Sequence, residues 1–192
     1  MYKIDPNIQL YELINIMRNL LSITVITAFI FSTSAFAGNW YVSYSNDEMR
    51  DTSTKILMLS SENQHEFSFP YAGGTSMTLV LRSAKTTLQK GQKASDLKVS
   101  EAIVYVDKGQ FICQAYDQCY VSVKFDNSPI EKYSVLKPQD HSSDSFFIKN
   151  SKKFIKQAAN SKKVIIEASF YNESNKQFKF DLTDMDKAKE SD

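Results

Sequence analysis

The sequence predicts a mainly β fold of the α+β kind: an antiparallel β-sandwich or open barrel with one short amphipathic helix near residues 151–160, placed after an N-terminal signal helix. Three observations predict it. Apolar and polar residues alternate along many short segments, the mark of half-buried strands. These segments lie a few residues apart and are joined by turn-forming residues, which suits an antiparallel meander and not crossover units. One stretch alone, from Ser151, switches to the helical period.

Taken in order, Trp40, Val42 and Tyr44 alternate with Tyr41, Ser43 and Ser45 and predict a first strand with an aromatic inward face. Asn46 to Ser53 is polar and charged and interrupts it. Ile56 to Leu59 is a second strand, and Phe67 and Phe69 belong to a short third element ended by Pro70. Gly73-Gly74 turns the chain into a strand with Met77, Leu79 and Leu81 on one face. The polar stretch from Ser83 to Lys98 loses the pattern and reads as an exposed loop. Alternation returns at Glu101 to Asp107 and again at Ile130 to Leu136, with Asn127-Ser-Pro129 as a turn between.

A polar loop from Gln139 to Ser145 leads into Phe146-Phe147-Ile148. Phe154, Ile155, Ala158 and Ala159 then make the apolar stripe of the helix, with Asn150 or Ser151 as its N-cap. Val164 to Tyr171 and Phe178 to Leu182 are the last two strands, separated by the turn Asn172 to Asn175. The domain is expected to span residues 38–184, followed by a charged tail over residues 185–192.

Both cysteines fall in one stretch, Gly109 to Asp126. Cys119, Val121, Val123 and Phe125 share a face, as do Phe111 and Cys113 before the loop Gln114 to Gln118. Two antiparallel strands joined by that loop would bring the thiols together, so the stretch reads as a β-hairpin stapled by a Cys113–Cys119 disulfide. Closing so small a loop stabilises a fold by roughly 2 kcal/mol.

Leu20 to Phe31 is an uncharged apolar run, preceded by Arg18 and followed by small residues at Ala35 and Ala37. It is short for a bilayer span and fits a secretory signal over residues 1–37, cleaved between Ala37 and Gly38. Lys3 stands against Asp5 and Glu12, a poor start for a signal, whereas Met17-Arg18 is a better one; translation is therefore expected to begin at Met17. An exported chain without a stable membrane span after cleavage, periplasmic or secreted, follows, in a compartment that favours a paired disulfide.

The formal net charge of +1 comes from scattered charges of both signs, which argues against a nucleic-acid partner. His141-Ser142-Ser143-Asp144 places three triad residue types side by side, but a triad is assembled by geometry, and no Gly-x-Ser-x-Gly elbow exists. The run reads as a polar loop, and no catalytic residue is assigned. His65 and His141 are the only histidines and belong to no ligand-spaced set, so neither a metal nor a cofactor is expected. Lys149, Lys152, Lys153, Lys156, Lys162 and Lys163 form a dense basic patch, either the solvated face of a helix or a contact for anionic headgroups or an acidic partner.

Asn39-Trp-Tyr-Val-Ser43, the acidic turn Asp47 to Asp51, Leu79-Val-Leu-Arg82 and Val121 to Asp126 occur in that order, followed by Lys153 to Ala158, Val164 to Ala168, Phe170-Tyr171 and Phe178 to Leu182. The run resembles uncharacterised exported proteins of bacteria and prophages and, with them, the TagO (VasI) family associated with type VI secretion. It departs from the TagO pattern at Ser83, where that family has a cysteine. The resemblance implies a non-enzymatic envelope accessory or binding role, with Arg82, Asp126, Asp47 and Asp51 as binding or structural polar positions. For Arg82 and Asp126 the plain structural account is a buried arginine with a carboxylate partner. The expected partner is a protein or an envelope component. A prophage-encoded surface or exclusion factor and an envelope hydrolase with an unrecognised site stand as alternatives.

Overall fold

The computed structural model describes residues 39–113 and 119–190. The signal segment, the Met17 start, the Ala37–Gly38 junction and the loop 114–118 lie outside the described residues. Twelve strands and one α-helix follow: β1 Tyr41–Asp47, β2 Thr52–Ser60, β3 His65–Phe67, β4 Gly73–Thr75, β5 Met77–Ser83, β6 Val99–Val106, β7 Tyr120–Phe125, β8 Glu131–Leu136, β9 Ser145–Ile148, α1 Ser151–Ala158, β10 Lys163–Ala168, β11 Lys176–Asp181 and β12 Lys189–Glu190.

Ten strands form one sheet in the order β11-β10-β7-β8-β9-β6-β5-β2-β1-β12, and β3 and β4 form a separate hairpin. The neighbours in the large sheet are antiparallel except β1 and β12, which run parallel. The meander expectation therefore holds in two runs, β1-β2-β5-β6 and β7-β8-β9, joined where β9 pairs with β6. The mainly β class with one short helix is the fold observed.

The alternation along each strand explains the core. Val121, Val123 and Phe125 of β7, Val164 and Ile166 of β10, and Phe178 and Phe180 of β11 all point inward and are buried. They join Trp40, Leu79, Leu81 and Val104 from the other half of the sheet in one cluster. The sheet bends round this core, and the outer edge of β11 is covered by the chain after β2. Glu62 N–H donates to the Lys179 carbonyl at 2.8 Å, Lys179 N–H donates to Asn63 Oδ1 at 2.8 Å, and Asn63 Nδ2 donates to the Gln177 carbonyl at 2.9 Å. An edge that would otherwise offer unpaired amides is thereby used inside the domain.

Helix α1 starts as the sequence suggests. Asn150 caps it by accepting from Lys153 N–H at 3.3 Å, and Ser151 Oγ donates to the Ile148 carbonyl and accepts from Ala102 N–H. Its buried face presents Phe154 to the rings of Phe125 and Tyr133, with centroids 5.3 and 5.7 Å away. The helix lies on β6 and β9, and Phe154 reaches from it to β7 and β8.

Three expectations are corrected. First, the cysteines are bonded, with Cα atoms 4.8 Å apart, but the segments beside them do not form a hairpin with one another. Phe111 bridges to Phe170, with Ile112 N–H donating to the Ser169 carbonyl and Tyr171 N–H to the Gln110 carbonyl, while β7 pairs with β10 and β8. The continuation of β10 thus trades β7 for residues 110–112 as its neighbour, and the disulfide ties the two together where the exchange occurs. Second, the stretch Ser83 to Lys98 is mostly exposed, as expected, but it is not a loose loop: Thr86 bridges to Ser53, Lys55 Nζ donates to the Ser95 carbonyl, and Leu97 is buried. Third, the C-terminal residues are not only a charged tail, since a 3-10 turn at Met185–Lys187 leads into β12 beside β1.

Candidate functional site

The sheet half made of β8, β7, β10 and β11 buries one face and turns the other to solvent. Register places residues directly opposite each other on that outer face. Lys124 stands opposite Ile165, and Ile165 opposite Lys179, so one aliphatic side chain lies between two lysines. The next row holds Lys132, Ser122, Glu167 and Gln177. With strands about 4.8 Å apart, Lys124 and Lys179 leave the backbone roughly 10 Å from one another.

At the N-terminal end of β10 this face deepens into a cleft of about 400 Å3 whose walls include Lys124, Lys162, Lys163 and Lys179. Its floor is the side chain of Ile165 together with the strand backbone at Val164 and Phe180, whose side chains turn to the core. Among the described residues the lysines of this cleft form no ion pair, whereas six ion pairs elsewhere use Arg50, Arg82, Lys85, Lys153, Lys176 and Lys187. Glu62 stands on the rim.

The backbone that carries Lys162 and Lys163 is held by Asp126. Lys162 and Lys163 N–H donate to its carboxylate at 3.1 and 2.9 Å, and Asp126 N–H returns a bond to the Lys163 carbonyl at 3.0 Å. Leu182 N–H donates to the Lys162 carbonyl at 2.8 Å. Asp126 adopts φ 43°, a left-handed conformation that Asp and Asn tolerate better than most residues, and this turns its carboxylate back onto the two amides. Its carboxylate is thus committed to the backbone, and among the described residues it makes no close ion pair.

Two other hollows are present among the described residues. One of about 530 Å3 is lined by Lys132, Tyr133, Ser134, Lys149, Asn150 and Lys153. There the lysines are largely engaged: Lys153 donates to Glu131, and Lys132 lies 4.3 Å from the Tyr120 ring centroid. Glu131 is held below its usual value by the hydrogen bond from Lys153 and another from Gln157 at 2.7 Å. The Tyr133 hydroxyl donates to Gln157 Oε1, and burial, with the neighbouring Glu131 charge, pushes its pKa up to about 12. This is a packed polar network that fixes α1. The other hollow, about 130 Å3 beside the disulfide, is lined by Ile112, Tyr120, Ser122, Lys132, Glu167 and Asn175 among others and is nearly balanced in charge.

The residues singled out by sequence do not converge. Arg82 pairs with Glu101, its cross-strand neighbour, at 2.5 Å and lies 5.4 Å from the Phe147 ring centroid. Both members of that pair are about 40% exposed (39% and 42%), so the carboxylate partner is neither Asp126 nor buried. Asp47 binds Arg50 at 3.0 Å and lies 3.9 Å from Lys85, and Asp51 occupies a turn at φ 50°. His141, Ser142 and Asp144 form no triad: Ser142 Oγ lies 3.3 Å from Ser145 Oγ, and its N–H donates to Asp140. No group of three or more His, Cys, Asp or Glu among the described residues could hold a metal ion.

The basic patch read from sequence is divided, with Lys162 and Lys163 in the cleft and Lys149 and Lys153 in the neighbouring hollow. Lys124 and Lys179 were missed because their partnership depends on register, which spacing does not give. No protein-family model, curated protein or solved structure matches the chain.

Proposed function

We propose that the chain is an exported, non-enzymatic accessory protein of the bacterial envelope that binds an envelope component through the outer face of β8-β7-β10-β11. The observation that carries this reading is the cleft in which Lys124, Lys162, Lys163 and Lys179 stand without ion-pair partners among the described residues, with the Lys162–Lys163 backbone pinned by Asp126. Exposed cations carried on a braced backbone around an aliphatic side chain suit recognition of an anionic ligand. No nucleophile, base and oxyanion donors come together there, so the surface favours binding over catalysis.

Export is supported by the apolar segment ending at Ala37 and by the Cys113–Cys119 bond, a pairing that persists in oxidising compartments. No helix among the described residues is long and apolar enough to cross a membrane. The resemblance to TagO-like and prophage exported proteins points the same way. The test is to express the full chain, recover it from cell fractions and mix it with envelope fragments. A periplasmic product that begins at Gly38, has no free thiol and sediments with the fragments is expected; a cytoplasmic product, or one left wholly in the supernatant, contradicts the reading.

A further inference from the structure

We infer that the lysine cleft at the N-terminal end of β10 binds an acidic glycan, a sugar polymer that carries anionic groups at regular intervals; this rests on the envelope-binding reading above and names its ligand. Four features set the chemistry. The cations are all lysines, with no arginine among them, so the site offers point charges and not the planar fork that grips a single carboxylate or phosphate at two points. Point charges suit a ligand whose own charges are repeated and spaced. Lys124 and Lys179 are two strand spacings apart, roughly 10 Å. Lys163 lies two residues along β10 from Ile165, a further ~7 Å. The cations therefore surround an oblong space and do not converge on one point.

The floor between them is aliphatic. Ile165 is half-buried in the middle and is the one apolar side chain on the cleft's own face, since Val164 and Phe180 turn to the core. An uncharged ring face can lie there while its anionic substituents reach the lysines at either side, an arrangement that a free inorganic ion would not use. Asp126 holds the Lys162–Lys163 backbone in place before any ligand arrives, which lowers the ordering cost of binding. It is a positioning residue through those two amides; Asp126 and Glu62 also line the cleft, so its lysines outnumber its carboxylates by four to two.

Two other polyanionic surfaces fit less well. A bilayer would call for apolar side chains projecting beyond the lysines. One strongly exposed apolar residue, Ile130 at 68%, follows the turn at this end of β7, but a single such side chain beside four lysines makes no apolar face, and Tyr171 at 48% lies past the opposite end of β10. A nucleic acid would call for exposed aromatic rings on which bases stack, and the cleft's aromatic ring, Phe180, is fully buried.

The full chain, expressed and purified with its disulfide intact, is titrated with fluorescently labelled polygalacturonate at low salt. Alongside run neutral dextran, phosphatidylglycerol vesicles and oligodeoxythymidylate. The wild type is expected to bind polygalacturonate more tightly than the other three. The variant K124Q/K162Q/K163Q/K179Q should bind at least about tenfold more weakly. The variant K90Q/K98Q/K137Q/K152Q loses the same charge from exposed positions outside the cleft and should stay within about twofold of wild type. All three proteins are first checked by circular dichroism, because the changed side chains are exposed or half-exposed and leave the core untouched. Equal weakening of both variants, or tighter binding to vesicles or oligonucleotide, overturns the inference. Sedimentation with envelope fragments but no binding to polygalacturonate removes the glycan and leaves the envelope reading standing; failure of both removes both.

Discussion

The two ends of β10 are built on opposite principles. Past its C-terminal end the chain is held by aromatic packing and a covalent bond: Phe170 is fully buried against the rings of Phe67, Phe111 and Phe178, and Cys113–Cys119 ties residues 110–112 to β7. At its N-terminal end there is no covalent tie. Lys162 and Lys163 are fixed by four hydrogen bonds to Asp126 and Leu182, and their side chains are left to solvent. One end spends its sequence on burial and the other on a braced backbone that carries exposed cations.

Changes at the aromatic end should cost most. Phe170→Ala is expected to destabilise the domain by about 3–5 kcal/mol, through lost burial and a cavity among three rings, as read by chemical denaturation. Gly109→Ala belongs to the same class. Gly109 has φ 111°, and an added Cβ would collide with the Phe67 ring, so a loss of at least about 1–3 kcal/mol is expected. If either variant unfolded no more readily than a cleft variant such as Lys124→Gln, the contrast between the ends would be broken.

Removing the staple sharpens it. C113S/C119S should lower stability by about 2 kcal/mol while leaving the affinity of the distant cleft unchanged. Asp126→Ala should lower stability by only about 1 kcal/mol, yet speed hydrogen exchange at the Lys162 and Lys163 amides and weaken ligand binding; Asp126→Asn, which keeps an acceptor and tolerates φ 43°, should recover most of both.

The smallest effect is a pH response at the aromatic end. Glu173 is held below its usual 4.5 by the bond from Ser68 N–H at 2.6 Å, aided by Lys176, which lies 3.1 Å from it. A depressed carboxyl favours the folded state above its unfolded value, and that gain is lost as pH falls through the folded value. The Ser68 amide should therefore shift in nuclear magnetic resonance spectra below pH 4.5, and Glu173→Gln should abolish the shift.

Much of the scaffold was legible because it is local. Alternation at Trp40 to Tyr44, Met77 to Leu81 and Phe178 to Leu182 reports which face is buried, and Phe154 and Ala158 report the helix. The cysteine pair was legible from shared parity and from an apolar N-terminal segment that reads as an export signal. The hairpin drawn around it was not right, because residues 110–112 find their partner at 169–171, almost sixty positions away, and nothing near them announces it. The cleft was hidden for the same reason. Lys124, Lys163 and Lys179 come from three strands, and only their register makes them neighbours. Asp126 could be picked out as a polar residue closing a strand, but its role as a clamp on two amides depends on a turn conformation and a distant strand end.

The location of the binding face is tested most directly by mapping backbone amide shifts of the isotope-labelled protein during titration with soluble envelope fragments. The account expects the shifts to gather at Lys124, Ile165, Lys179 and the Lys162–Lys163 turn. Shifts gathered instead on β1 and β2, or spread evenly over the surface, would contradict it.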